Sequence, residues 1–306
     1  MKKKKDLLTL GDMREHEIIE ILDLARRMKK APFSKKGVFR DKTLALLFQK
    51  PSNRTRISFE VAMVQLGGHA LYLSPQEICM GKRESVKDVA RVVARYVDGI
   101  VARVFSHSDV KGLAEYSPVP VINGLSDAEH PCQALSDIFT IREKFKTLKN
   151  ITVTYIGDGN NVLSSLMLAC AKTGMKTRIS TPKEYGPEPE ALSLAAKAAK
   201  EMKTTIELFA DPFEAAKGAD VVYTDVWVSM GQEDERDKRL EDFKGFQVDS
   251  RVMSAAKKNA VVMHCLPAHR GEEISEDVID GPASVIYDQA ENRLHVQKAV
   301  LLKYLS

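Results

Sequence analysis

Cysteine is scarce in this sequence, and its spacing excludes two common uses of the residue. Among 306 residues there are four cysteines, and no two of them form a C-x-x-C pair. They lie far apart, at Cys79, Cys132, Cys170 and Cys265. Disulfide scaffolds and zinc sites need closer and more regular spacing. We therefore expect reduced thiols in a cytoplasmic protein, without a disulfide framework or a metal.

Long apolar runs and a strong excess of one charge are also absent. No stretch approaches the roughly 18 apolar residues of a membrane-spanning helix. The 46 basic and 42 acidic residues leave a formal net charge of +4, whereas nucleic-acid binding needs a concentrated basic face. We interpret the lysines at 2–5 as a solvated tail, with a nucleic-acid arm as the alternative. Neither membrane nor nucleic acid is an expected partner.

The residues that are present predict two domains of alternating strands and helices. Apolar runs of strand length, such as Thr43–Phe48, alternate with amphipathic segments such as Glu15–Lys30. This alternation is typical of α/β domains with parallel sheets. We place the first domain at 1–146, including a linking helix at 131–146, and the second at 147–288. We also expect a strand at 284–287, a final helix from about residue 290, and a mobile loop at 231–238.

The first motif with chemical meaning is Ser52-Asn53-Arg54-Thr55-Arg56, which follows a buried strand and opens a helix. A helix N-terminus favours anions, and hydroxyl and guanidinium donors suit phosphate. Arg54 and Arg56 point about 200° apart on a helix, so we expect only one of them at the anion. The alternative is a capped helix with surface ion pairs.

Two histidine motifs follow. His130 precedes a helix-opening proline, where an imidazole could exchange a proton with a ligand, and Gln133 lies one helical turn later. His264 and Cys265 end a predicted strand. A buried core cysteine, a zinc ligand and a cysteine nucleophile remain open for Cys265.

Two strand ends in the second domain carry polar turns. The sequence at 157–162, G-D-G-N-N-V, imitates a dinucleotide fingerprint but lacks the third glycine. An NAD-linked dehydrogenase and polar recognition of a small ligand are therefore both open. Asp225 ends a later strand and precedes Ser229-Met230-Gly231, an arrangement that suits an ammonium site beside a hinged loop. A solvated loop is the alternative. No G-x-x-x-x-G-K-[ST] loop is present, so ATP hydrolysis is not indicated.

In this order the motifs resemble those of the aspartate/ornithine carbamoyltransferase family. The family's S-T-R-T-R, H-P-x-Q, S-M-G and H-C-L-P correspond to residues 52–56, 130–133, 229–231 and 264–267. The last two motifs are typical of the ornithine branch rather than the aspartate branch. The resemblance covers essentially the whole chain.

The resemblance implies a fold, a reaction and an assembly. It implies two doubly wound parallel-sheet α/β domains linked by helices, one for carbamoyl phosphate and one for L-ornithine, with the C-terminal helix, 289–306, packing back on the first. The implied reaction, in arginine metabolism, gives L-citrulline and phosphate without a cofactor or metal. The implied assembly is a homotrimer, or a multiple of trimers, with sites between subunits.

The resemblance also implies site residues. For carbamoyl phosphate they are Ser52, Asn53, Arg54, Thr55, Arg103, His130, Gln133, Cys265, Leu266 and Arg293. The catalytic residues among them are Arg103, His130, Gln133, Cys265 and Arg293. For ornithine they are Asn161, Asp225, Ser229 and Met230.

Two positions depart from the family pattern. Asn53 replaces a threonine, which changes one donor to phosphate. Cys79 replaces a glutamine that normally reaches a neighbouring subunit's carbamoyl phosphate.

Besides the carbamoyltransferase and the NAD-linked dehydrogenase, a third function is open, namely a non-enzymatic anion-binding module that kept the fold.

Overall fold

The computed structural model describes residues 4–81, 83–229 and 231–306. The chain forms two compact units. Unit 1 runs up to Phe139 and resumes at Glu291–Ser306, whereas unit 2 is Thr140–Ala290. The end of the chain therefore belongs to the first unit, as predicted.

Unit 1 contains a four-stranded parallel sheet with the strand order β2-β1-β3-β4. Its strands are β1 (Thr43–Phe48), β2 (His69–Leu73), β3 (Gly99–Arg103) and β4 (Val121–Leu125). Its helices are α1 (Glu15–Lys30), α2 (Asn53–Leu66), α3 (Pro75–Ile78), α4 (Val86–Val93) and α5 (His107–Tyr116). Helix α6 (Pro131–Phe145) begins in this unit.

The centre of this sheet is apolar on both faces. Strands β1 and β3 are buried almost throughout because helices cover them, which explains the run of apolar residues in β1. The sheet is extended beyond β4 by the N-terminal segment, since Leu7 pairs with Ile122 in parallel. The carboxyl ends of β1, β3 and β4 thus lie at one edge, where ligands of open α/β sheets bind.

Unit 2 contains a five-stranded parallel sheet with the order β7-β6-β5-β8-β9. Its strands are β5 (Thr152–Ile156), β6 (Lys176–Ser180), β7 (Ile206–Phe209), β8 (Val221–Thr224) and β9 (Val261–His264). Its helices are α7 (Asn161–Lys172), α8 (Pro189–Glu201), α9 (Pro212–Ala216), α10 (Arg236–Asp242), α11 (Ser250–Ala255) and α12 (Glu276–Ile279). Helix α13 (Ile286–Leu305) ends the chain, and no helix in the described ranges combines the length and apolarity needed to cross a bilayer.

The predicted fold class, two parallel-sheet α/β domains with a returning C-terminal helix, is confirmed. The predicted strand at 284–287 is wrong, because only Ser284 forms a bridge, to Val262, and α13 begins at Ile286. Val285, Ile286 and Gln289 are buried at helical spacing. A helix therefore satisfies their burial better than an extended segment does.

The predicted loop at 231–238 is also shorter than expected. A short 3₁₀ turn at Glu233–Glu235 leads directly into α10. The charges that suggested a loop instead form ion pairs one helical turn apart, between Lys238 and Asp242 and between Arg239 and Glu235. Such pairs stabilise an exposed helix.

Candidate functional site

The N-terminus of α2 forms a hydroxyl-lined turn directly after β1. The Ser52 side chain caps the helix, since its Oγ accepts the Thr55 N–H at 3.4 Å and donates to Thr55 Oγ1 at 3.1 Å. Thr55 is almost completely buried. Arg293, on the last helix of unit 1, donates from Nη2 to the same Thr55 Oγ1 at 2.7 Å.

The two arginines of this motif have different surroundings. The Arg56 guanidinium lies 4.1 Å from the centre of the Tyr72 ring, and its Nε donates to Glu60 at 2.9 Å. Arg54, by contrast, has a buried Nε that donates to no residue in the described part of the chain. Arg56 is therefore held by its own helix and by β2, whereas Arg54 retains donor capacity for a ligand.

His130 lies buried in a strongly positive environment. Burial lowers the pKa of its imidazole well below the usual range, and the nearby charges of Arg293, Arg103 and Arg54 lower that pKa further. Three predicted site arginines from α13, β3 and α2 are thus near one histidine in unit 1. The imidazole is neutral at neutral pH, so it donates or accepts a hydrogen bond without adding charge.

Gln133 is oriented by a neighbour on its own helix. Its amide nitrogen donates to Oδ1 of Asp137, one turn later, at 2.8 Å. Its carbonyl oxygen, Oε1, is buried and accepts no hydrogen bond from the described residues. A buried carbonyl oxygen without a donor is costly, and a ligand with an N–H group would satisfy it.

Two polar residues beside the site motifs of unit 1 make long-range hydrogen bonds that the sequence pattern did not predict. Glu129 precedes His130, and its Oε2 accepts the Leu10 N–H at 3.0 Å, which ties the N-terminal segment to this turn. Gln49 follows β1, and its N–H donates to the Arg103 carbonyl at 2.7 Å. The available signal was their position: each is a polar residue adjoining a predicted site motif.

In unit 2, Asp225 lies at the centre of a polar group at the end of β8. Its Oδ1 accepts the Cys265 thiol at 2.9 Å, and its Oδ2 accepts the Asn160 amide at 2.8 Å. Asn160 also caps α7, since its Oδ1 accepts the Val162 N–H at 2.9 Å. The predicted ornithine contact was Asn161, which is the half-buried first residue of α7. The bond of Asn160 to Asp225 was not predicted.

The surroundings of Asp225 are acidic. Burial raises the pKa of the Tyr155 phenol well above its usual range, and Asp225, Asp158, Cys265 and Glu273 add to that rise. Burial also raises the pKa of Asp158 to about 6, against the opposing effect of its ion pair with Arg239. This part of unit 2 therefore favours a cationic ligand.

The segment after Asp225 is anchored at both sides of Ser229. Trp227 is buried and stacks on Phe243 with ring centroids 5.5 Å apart, and its carbonyl accepts Arg239 Nη1 at 2.9 Å. The Ser229 N–H donates to the Gln232 side chain at 3.0 Å. Met230, the remaining predicted ornithine contact, lies outside the described residues.

The turn after β9 carries Cys265 and Leu266. Leu266 has a positive φ of 61°, and its N–H donates to Nδ1 of His264 at 2.8 Å. The backbone N–H of His264 in turn donates to Gln289 at 2.9 Å. The two predicted residues of this motif therefore depend on a buried histidine that precedes them.

Comparison with known proteins places the chain in a family. The model of the carbamoyl-P binding domain of aspartate/ornithine carbamoyltransferase matches residues 5–143, and that of the Asp/Orn binding domain matches residues 149–304. The chain belongs to the aspartate/ornithine carbamoyltransferase family. The resemblance found in the sequence is thus confirmed.

Individual members of this family match over almost their full length. The ornithine carbamoyltransferase of Archaeoglobus fulgidus is 52% identical over 305 residues, which cover 98% of this chain and 97% of that protein. The structure of ornithine carbamoyltransferase from Pyrococcus furiosus has 53% identity and a TM-score of 0.94, covering 97% of this chain and 96% of that one. The anabolic enzyme from Campylobacter jejuni has 43% identity and a TM-score of 0.93, covering 98% of each chain.

Three potential metal ligands in unit 2 already make hydrogen bonds of their own. One ligand atom from each of three side chains lies within 4.8 Å of the others, and these residues are Asp225, His264 and Cys265. Both ring nitrogens of His264 are occupied, Nδ1 by the Leu266 N–H and Nε2 by Glu273, and the Cys265 thiol donates to Asp225. The group is a hydrogen-bonded network, so binding a metal would break bonds that it already makes.

The dinucleotide-like glycines also have a local explanation. A Cβ on Gly159 would lie 2.2 Å from the carbonyl oxygen of Gly186, and Gly157 has a φ of 136°. Packing and backbone conformation therefore require both glycines. No pyrophosphate is needed to explain them, which weakens the NAD-linked alternative.

Proposed function

We propose that this chain transfers the carbamoyl group of carbamoyl phosphate to the δ-amino group of L-ornithine, giving L-citrulline and phosphate. The observation that carries the proposal is the position of Arg54, Arg103 and Arg293 near a neutral, buried His130. Guanidinium groups bind phosphate oxygens in pairs of hydrogen bonds. Unit 1 is the carbamoyl-phosphate domain.

The turn at the start of α2 completes the phosphate site. Asn53 supplies an amide and Thr55 a hydroxyl at the helix N-terminus, and Ser52, whose hydroxyl hydrogen is donated to Thr55, contributes its backbone N–H. Because Thr55 Oγ1 already accepts bonds from Ser52 and Arg293, its own hydrogen is directed to a third partner. That partner is an oxygen of the substrate.

The carbamoyl group itself needs one acceptor and several donors. The buried Oε1 of Gln133 accepts an N–H of the carbamoyl amino group, which fits its orientation by Asp137. His130 and Arg103 donate to the carbonyl oxygen, where negative charge develops as the amine attacks. The Leu266 carbonyl is proposed as a further acceptor for a substrate amino group.

Unit 2 is the ornithine domain. Asp225 binds the α-ammonium group, and Asn161, Ser229 and Met230 provide the other contacts. The Asp225 carboxylate makes this site favourable for a cationic amino acid and unfavourable for aspartate, whereas Asp158 is already paired with Arg239. This difference supports the ornithine branch of the family.

The proposed reaction forms one bond and breaks another. The neutral δ-amine, beside Cys265, attacks the carbamoyl carbon, the carbon–oxygen bond to phosphate breaks, and the amine loses one proton, which the departing phosphate accepts. Phosphate leaves with the electron pair of that bond and is stabilised by Arg54, Arg103 and Arg293. Orientation of two bound substrates alone lowers such a barrier by up to roughly 7–11 kcal/mol.

We also propose a homotrimer, or a multiple of trimers, in the cytoplasm. Ile57 and Val64 are exposed on one face of α2, 58% and 66% respectively, and Leu71 is 43% exposed on β2 at the end of the sheet. An apolar patch of this kind on a helix and an edge strand is typical of a protein–protein interface. Light scattering should give the mass of three chains, or a multiple, and the mass of one chain would contradict the assembly.

An amine-acceptor panel tests the reaction. Purified protein with carbamoyl phosphate should form citrulline from L-ornithine and markedly less product from putrescine, aspartate or N-acetylornithine. Preference for putrescine would leave the family assignment intact but overturn ornithine as the substrate. Absence of product with every amine would favour the anion-binding module.

A further inference from the structure

We propose that Glu273 is a positioning residue, which holds Cys265 and Leu266 for the reaction by acting through His264. The catalytic consequence rests on the function proposed above, but the geometry belongs to unit 2 alone. The side chains of Glu273 and His264 are both completely buried. Neither residue contacts a substrate in the proposed reaction.

Hydrogen-bond directions determine the tautomer of His264. A backbone N–H only donates, so Nδ1, which receives the Leu266 N–H at 2.8 Å, must carry a lone pair. The imidazole proton is then on Nε2, which lies 3.1 Å from Oε1 of Glu273. The Glu273 carboxylate accepts the hydrogen bond that Nε2–H donates and thereby selects the tautomer that holds Leu266.

Glu273 fixes both ends of the segment at 264–269. Besides the His264 ring, its Oε1 accepts the backbone N–H of His269 at 2.6 Å. Within the segment, Leu266 adopts a left-handed conformation, which is unfavourable for a non-glycine residue. The partly buried bond to His264 offsets this cost.

Cys265 lies between His264 and Leu266, which are hydrogen-bonded to each other. The reactivity of its thiol therefore indicates whether this turn is intact. Its thiol donates to Asp225 Oδ1 at 2.9 Å. A carboxylate beside a thiol disfavours the thiolate, which is the form that reacts with alkylating agents. If the turn loosens, Sγ moves away from Asp225 and alkylation of Cys265 accelerates.

The test separates hydrogen-bond reach from charge. Glu273→Gln keeps an acceptor at full length without charge, whereas Glu273→Asp keeps the charge but withdraws it by one methylene. Glu272 is the matched control, because it pairs with Arg236 and, at 3.5 Å, with His269 Nδ1 but not with His264. All variants are made in a Cys79→Ser background, since Cys132 and Cys170 are buried and Cys79 is the other accessible thiol.

We expect Glu273→Asp to lower kcat for citrulline about tenfold or more, to raise KM for ornithine and to accelerate Cys265 alkylation by iodoacetamide. Glu273→Gln should stay within about threefold of the parent in both assays, and Glu272→Gln and Glu272→Asp within about twofold. A Glu273→Asp effect no larger than that of Glu272→Asp would overturn the proposal. Equal damage by Glu273→Gln and Glu273→Asp would also overturn it, because charge or packing would then be responsible.

A second variant tests the path through the histidine. In His264→Asn the amide oxygen replaces Nδ1 as acceptor for Leu266, but contact with Glu273 is lost. Adding Glu273→Asp to this background should therefore lower kcat and accelerate alkylation less than Glu273→Asp does alone, since only the bond to the His269 N–H remains to be lost, whereas fully additive effects would contradict the path. If the parent makes no citrulline, the proposed function fails, and the alkylation rates alone decide the role of Glu273.

Discussion

Arg293 donates a 2.7 Å hydrogen bond to Thr55, and the two residues are 238 positions apart in the sequence. The bond connects the last helix with the N-terminus of α2, both in unit 1. The same arginine contributes to the low pKa of His130. One guanidinium thus serves the phosphate turn and the histidine together.

Arg293→Lys should therefore weaken carbamoyl phosphate binding more than charge alone would explain. Lysine keeps the positive charge but lacks the planar fork that reaches two partners. We expect KM for carbamoyl phosphate to rise about tenfold or more, with KM for ornithine little changed. Initial rates with each substrate varied in turn would measure this, and a larger effect on ornithine would contradict the assignment of Arg293.

The two arginines of α2 provide a matched pair for mutation. Arg54→Ala should lower kcat/KM for carbamoyl phosphate by about 10–100-fold, because charge-assisted bonds to phosphate are lost. Arg56→Ala should change activity by less than about threefold and instead cost about 1 kcal/mol of stability through its contacts with Tyr72 and Glu60. Steady-state kinetics and urea unfolding of both variants test this, and similar kinetic losses would remove the distinction.

Sequence pattern predicted the elements whose signals are local. β1 and α1 have the predicted bounds, because β1 is a short apolar run of strand length and the apolar residues of α1 recur at helical spacing. These features depend on residues within one or two turns of each other.

The residues that the sequence pattern did not predict depend on partners that are distant in the sequence, or on the exact residue at which a helix begins. Asn160 and Asn161 look alike in the sequence, and only the position where α7 begins directs Asn160 to Asp225. Glu129 is bonded to Leu10, 119 residues away. No local periodicity encodes such contacts, so they emerge only after the chain has folded.

Asp137 should determine which end of the Gln133 amide faces the substrate. Asp137→Asn keeps an oxygen that accepts the Gln133 amide, so we expect a loss in kcat/KM of less than about fivefold. Asp137→Ala removes the acceptor, allows the amide to turn, and should cost about 10–100-fold. Ser136→Ala is the control, since this buried neighbour bonds to the Cys132 carbonyl instead. Equal losses in Asp137→Asn and Asp137→Ala would show that orientation is not the cause.

His130 should make the protein sensitive to mild acid. A histidine whose folded pKa is lowered contributes stability that is present above its unfolded pKa, about 6.5, and is lost as pH falls towards the folded pKa. The free energy of unfolding should therefore decrease below about pH 6.5. His130→Asn should flatten this decrease, while His16→Asn, at an exposed position on α1, should not. Urea unfolding across this range tests the prediction, and parallel curves for the parent and His130→Asn would contradict it.

Asp158 should act in the opposite direction. Burial raises the pKa of its carboxyl from 3.8 to about 6, despite the ion pair with Arg239. A raised folded pKa contributes stability that is fully present below about pH 3.8 and is lost as pH rises through about 6. The stability of the parent minus that of Asp158→Asn should therefore fall between pH 4 and 7 by up to roughly 3 kcal/mol. Denaturant unfolding of both proteins gives this difference directly.

Asp234→Asn, at an exposed position before α10, is the control, and the stability of the parent minus that of Asp234→Asn should stay constant over this pH range. A difference for Asp158→Asn that is flat, or that rises with pH, would mean that the ion pair with Arg239 outweighs the cost of burying this carboxylate.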